Sequence, residues 1–128
     1  MPAYSKKLEC LVQALAAYSG YSKPDGFLYA ANNPIGLKAT SMRHAKNEQG
    51  YRVFNSFIDG FQAALFDLDL KITGKSWAKL SPESTLKDLA VAYSLETTTA
   101  TAWARFLRAA LHDNTISSET EIQYFTKE

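Results

Sequence analysis

The chain has 128 residues, enough for one domain with a core and too few for two ordinary ones. Charged residues make up 21% and apolar ones 46%, a globular composition. The formal net charge of +1, with basic residues scattered along the chain, gives no electrostatic reason to expect nucleic acid or an acidic membrane surface.

Cys10 is the only cysteine, which excludes an intramolecular disulfide, and its helical position suits a small buried thiol. The start, MPAYSKKLEC, has no apolar stretch of signal-peptide length, and no run approaches the ~20 residues that cross a bilayer. The expectation is a chain made in the cytoplasm without a signal peptide and without membrane insertion. Such a chain leaves, if at all, by lysis or inside a particle.

From Tyr4 to Ser19, Leu8, Leu11, Val12, Leu15 and Ala16 recur at three- and four-residue steps, which predicts a first helix with Ser5 as its cap and Gly20 as its stop. Residues 20 to 50 carry Gly20, Pro24, Gly26, Pro34, Gly36 and Gly50, a spacing hostile to long regular elements. Lys23-Pro24-Asp25-Gly26 has tight-turn chemistry, and short extended pieces are expected at Ile35 to Ala39 and Tyr51 to Phe54.

Asn55 or Ser56 is placed to cap a central helix, with Asp59 in its first turn. Phe57, Phe61, Ala64, Leu65, Leu68 and Ile72 supply its apolar face, and Gly74 its end. Gly60 within this helix costs about 1 kcal/mol relative to alanine, which points to close approach by another backbone. Trp77 is expected to anchor the connection that follows. Thr85 to Tyr93 reads as a short helix capped by Ser84 or Thr85. A last helix, with caps offered by Thr97 to Thr99, presents Trp103, Phe106, Leu107, Ala110 and Leu111 on one face and ends at His112-Asp113-Asn114. The domain is expected to span residues 1–114. The polar tail, 115–128, is either loosely attached or docked through Ile116, Ile122, Tyr124 and Phe125.

Three successive motifs give the chain a family resemblance. The first is Leu11-Val12-Gln13-Ala14-Leu15-Ala16, then Ser19-Gly20-Tyr21, then Ala31-Asn32-Asn33-Pro34-Ile35-Gly36. The second is Tyr51-Arg52-Val53-Phe54-Asn55-Ser56 leading to Gly60 and Phe61, and the third is Thr85-Leu86-Lys87-Asp88-Leu89 through Tyr93 to Thr98-Thr99. In order and spacing, over roughly residues 8 to 112, these resemble the lysozyme-like superfamily, in particular the small phage and bacterial lytic transglycosylase and glucosaminidase domains. The resemblance implies a mainly α (α+β) fold: a helical domain with a small irregular or β-hairpin subdomain between the first and second strong helices.

In that family a glutamate at the end of the first helix protonates the glycosidic oxygen, its pKa raised by an apolar groove. The aligned position here is Tyr18 or Ser19, and neither replaces a carboxylic acid near neutral pH. Glu9 lies about 15 Å upstream along the helix axis, too far to substitute. Asp25 and Glu48 are the remaining catalytic candidates, each equally readable as a solvated loop residue.

Tyr18, Ser19, Tyr21 and Tyr29 are candidate glycan contacts, the tyrosines because aromatic faces stack on sugar rings, or else a cover for the core edge. Asn32 and Asn33 either bind N-acetyl groups, as the resemblance implies, or satisfy local backbone groups in a tight corner. His44 and His112 are the only histidines, too small a ligand supply for a metal, and no cofactor is expected. The reading that follows is a catalytically degenerate lysozyme-like domain, used for binding or assembly in a phage particle. Its partner is a peptidoglycan glycan strand or another virion protein. The rivals are an active peptidoglycan hydrolase with a relocated acid and an intracellular protein-interaction module.

Overall fold

A computed structural model describes residues 4–18, 31–35, 51–74, 80–93 and 95–126. The described chain is mainly helical: α1 (Lys6–Tyr18), α2 (Phe57–Ile72), α3 (Leu86–Ala92), α4 (Thr97–Leu111) and a C-terminal 3-10 helix (Ile122–Thr126). Among the described residues no strand extends beyond isolated bridges such as Thr85 with Glu121, and the stretch 51–54 carries a lone bridge at Arg52 rather than a strand. Ile35, expected to open an extended piece, lies in a turn. Gly20, the Lys23–Gly26 turn and Trp77 lie outside the described residues.

Helix starts follow their side-chain chemistry at three of the four sites. The Ser5 hydroxyl accepts the Leu8 amide at 3.1 Å, leaving one fewer orphan donor in the first turn of α1. Ser56, the second of the two candidates, accepts the Asp59 amide at 3.2 Å. Thr85 and Asp88 form a reciprocal capping box at the start of α3. The fourth site departs from expectation. The cap residue of α4 is Glu96, which makes no side-chain capping bond, and Thr97 to Thr99 are already inside the helix. The helix is held by its apolar face instead, with Ala100, Trp103, Ala104 and Leu107 buried. His112 then takes a left-handed conformation (φ 52°) and closes it, and Gly74 (φ 77°) follows the end of α2.

The core joins Leu8, Leu11, Val12 and Leu15 of α1 to Leu65, Leu68 and Ile72 of α2, Leu86 and Leu89 of α3, and Trp103 and Leu107 of α4. Each such side chain contributes about 1.5–3 kcal/mol when fully buried. Helix α4 packs against both α1 and α3, and α1 also meets α2. Cys10 is buried, as its position on α1 predicts. Phe57 does not join the inner face of α2. It stands 46% exposed in the first turn, with its ring 5.7 Å from that of half-buried Phe61.

Of the two arrangements considered for residues beyond 114, the structure shows docking. Ile116, Ile122 and Phe125 are buried in the same core as the helices, with Tyr124 packed against it. A boundary after residue 114 therefore does not divide the core. The amides of Leu86 and Lys87 donate to the carbonyls of Thr120 and Ser118, and those of Ile122 and Gln123 to the carbonyls of Ser84 and Pro82. This laces the C-terminal segment to the start of α3.

Candidate functional site

The best-built polar feature is the corner at Ala31–Ile35, held against residues 52–54 and the first turn of α2. The Phe54 amide donates to the Ala31 carbonyl at 2.8 Å. Asn32 takes a left-handed conformation (φ 53°), which asparagine tolerates better than most residues, and its side-chain amide donates to the Phe54 carbonyl at 2.9 Å. Asn33 is fully buried and donates its amide to the Arg52 carbonyl at 3.0 Å. These bonds are the structural one of the two roles open to the asparagines: they satisfy backbone carbonyls that burial would otherwise orphan.

The same corner explains Gly60. A Cβ placed there would lie 1.7 Å from the Asn32 carbonyl oxygen and 2.9 Å from its carbon. The backbone approach foreseen from the sequence is therefore real, and its partner is Asn32. The glycine lets the corner sit directly on α2, and Ser56 and Asp59 fix where that helix begins.

In the first turn of α2, Phe57 and Ile58 are exposed apolar side chains, the latter 68% exposed. Tyr18 ends α1 and is 47% exposed. Ser19, Tyr21, Asp25, Tyr29 and Glu48, like His44, lie outside the described residues. The structure thus brings Asn32 and Asn33 together and shows Tyr18 exposed at the end of α1, while the other candidates lie outside the described residues.

Two side-chain clusters were not anticipated. In the first, the Tyr93 hydroxyl donates to the Asp67 carboxylate at 2.7 Å, Lys71 pairs with the same carboxylate, and the Lys71 ammonium lies 4.7 Å from the centre of the Tyr93 ring. Burial, then the charge of Asp67 and the bond to it, pushes the Tyr93 hydroxyl well above its ordinary range. The Asp67–Lys71 spacing of four was legible as a helix pair, but a tyrosine 26 residues from Asp67 was not. The cluster ties the end of α3 to α2.

In the second, Asp113 accepts from the hydroxyls of Tyr124 and Thr115 and from the Thr115 amide. The Lys7 ammonium lies 4.0 Å from the Tyr124 ring centre. The bonds from Thr115 and Tyr124 hold the Asp113 carboxyl down at about 2, and the bond to Asp113 lifts the Tyr124 hydroxyl to about 12. A general acid needs its carboxyl raised, the opposite direction.

Among the described residues no group of three or more His, Cys, Asp or Glu side chains is arranged to hold a metal ion, and no helix is long and apolar enough to cross a membrane. Comparison with known protein families, curated proteins and solved structures finds no match to this chain. The lysozyme-like resemblance accordingly rests on the sequence motifs alone.

Proposed function

We propose that the chain is a catalytically degenerate lysozyme-like domain that binds a glycan strand or a virion protein rather than cleaving peptidoglycan, and that it works within a phage particle. The observation that carries this reading is the locked corner. Asn32 and Asn33, the residues of the motif that resembles the family's Asn-Asn turn, are fixed against residues 52–54 and Gly60. A binding wall needs that rigidity, because a surface ordered before contact loses less entropy on binding. The position aligned with the family's acid is Tyr18 or Ser19, and an aromatic or a hydroxyl there suits contact with a sugar better than protonation of one. The phage setting follows from the resemblance, since domains of this superfamily often occur in virions.

The test is a paired peptidoglycan pull-down and turnover assay on wild type and Ser19→Glu. The expected result is binding by both proteins with turnover by the variant alone. Muropeptide release by wild type that disappears in Asp25→Asn or Glu48→Gln would establish the relocated-acid hydrolase instead. A second reading, a protein-interaction module, is favoured by the exposure of Phe57, Ile58 and Phe66 on α2. It predicts no retention on peptidoglycan by either protein.

A further inference from the structure

We propose that the C-terminal segment is a clasp that opens and closes as one unit with the first turn of α1, so that the two ends of the fold share a single local unfolding event. The coupling is carried by Ser5. Its hydroxyl oxygen accepts the Leu8 amide at 3.1 Å, which caps α1, while its proton goes to the Phe125 carbonyl at 2.5 Å. One hydroxyl thus serves both ends of the fold. With Phe125 in place the hydroxyl hydrogen is held away from α1, leaving a lone pair aimed at the Leu8 amide. With Phe125 gone the hydroxyl rotates among other partners and the cap weakens.

The clasp itself has a buried part and a polar part. Ile122 and Phe125 are fully buried in the core that Leu8 and Leu11 of α1 help to form. At the rim, Tyr124 reaches Asp113 just beyond α4, and Lys7 of α1 lies over the Tyr124 ring. Opening the segment therefore breaks the rim, withdraws Phe125 from α1 and removes the second partner of Ser5 together. Among the side-chain bonds described, the cap of the first turn of α1 is the Ser5 hydroxyl, so that turn is the element that follows.

Native-state hydrogen exchange on the full chain tests this. Leu8 and Glu9, whose amides bond to Ser5, should share one opening free energy with Leu86, Lys87, Ile122 and Gln123, whose amides bond across the clasp. That free energy should be lower than the one reported by the interior of α4. Tyr124→Phe removes the bond to Asp113 while keeping the half-buried ring, and should speed exchange at both sets by the same factor, about fivefold. Ser5→Ala should do the same at the clasp amides from the other end. The proposal is overturned if Leu8 and Glu9 open with a free energy of their own, or if Tyr124→Phe moves the clasp amides and leaves theirs unchanged.

Discussion

The corner at Asn32 and the clasp at Phe125 both fasten irregular chain onto helices, by opposite means. At the corner, backbone meets backbone: the Asn32 carbonyl fills the space a side chain at position 60 would need, and asparagine amides close the remaining bonds. At the clasp, side chains do the joining, with Phe125 and Ile122 buried and Tyr124, Asp113 and Lys7 at the rim. A backbone-to-backbone fit has no slack, because neither partner can choose another rotamer. A fit made by side chains is graded, losing strength in proportion to what is removed.

That contrast can be broken most forcefully at Phe125. Phe125→Ala empties a fully buried site and should cost about 4 kcal/mol, read as a lowered midpoint in urea. Gly60→Ala adds only a methyl group, yet should cost about 3 kcal/mol because it meets a carbonyl rather than a movable side chain. If Gly60→Ala proves neutral, the corner does not sit on α2 as described. Asn33→Ala, which leaves the Arg52 carbonyl without that donor, should cost about 2 kcal/mol in the same assay.

The smallest expected effect, about 1 kcal/mol, comes from Tyr124→Phe, and its pH dependence sharpens the comparison. Asp113 falls from 3.8 to about 2 in the fold, so its contribution is complete above pH 3.8 and is lost as pH drops through about 2. Tyr124 rises from 10.0 to about 12, so its contribution is complete below pH 10.0 and is lost as pH climbs through about 12. The Tyr124 shift reports chiefly the bond between the two, while the Asp113 shift combines the Thr115 bonds, which come first, with the bond from Tyr124, and Lys7 faces the pair. The melting-temperature gap between wild type and Tyr124→Phe should hold between those limits and close beyond them, whereas the Gly60→Ala gap should not respond to this bond.

The helices were legible where side-chain chemistry and apolar period agreed. Ser56, Asp59 and Gly74 bracket α2 while its inward residues recur every three or four positions, and the capping box marks α3. The start of α4 was misplaced because three successive threonines each offer a cap and the chain uses none of them. Gly60 was readable as an anomaly, since a glycine inside a helix asks for a reason, but Asn32 as that reason depends on contact across the fold. In the segment after α4 the apolar residues Ile116, Ile122 and Phe125 follow no helix or strand period, so their presence was visible and their destination was not. Of the candidate site, the sequence singled out Asn32 and Asn33, and their bonds to residues 52 and 54 emerged only from the fold.

The bond from Ser5 to Phe125 also spans 120 positions of sequence. Of the described helices α1 is made before the others, and the segment that completes its first turn is made after all of them. Closing so long a loop is entropically expensive, and contacts of this separation form late. Until that segment docks, the domain should therefore be collapsed but incomplete, with the surface that Phe125 will cover still open to chaperones and proteases.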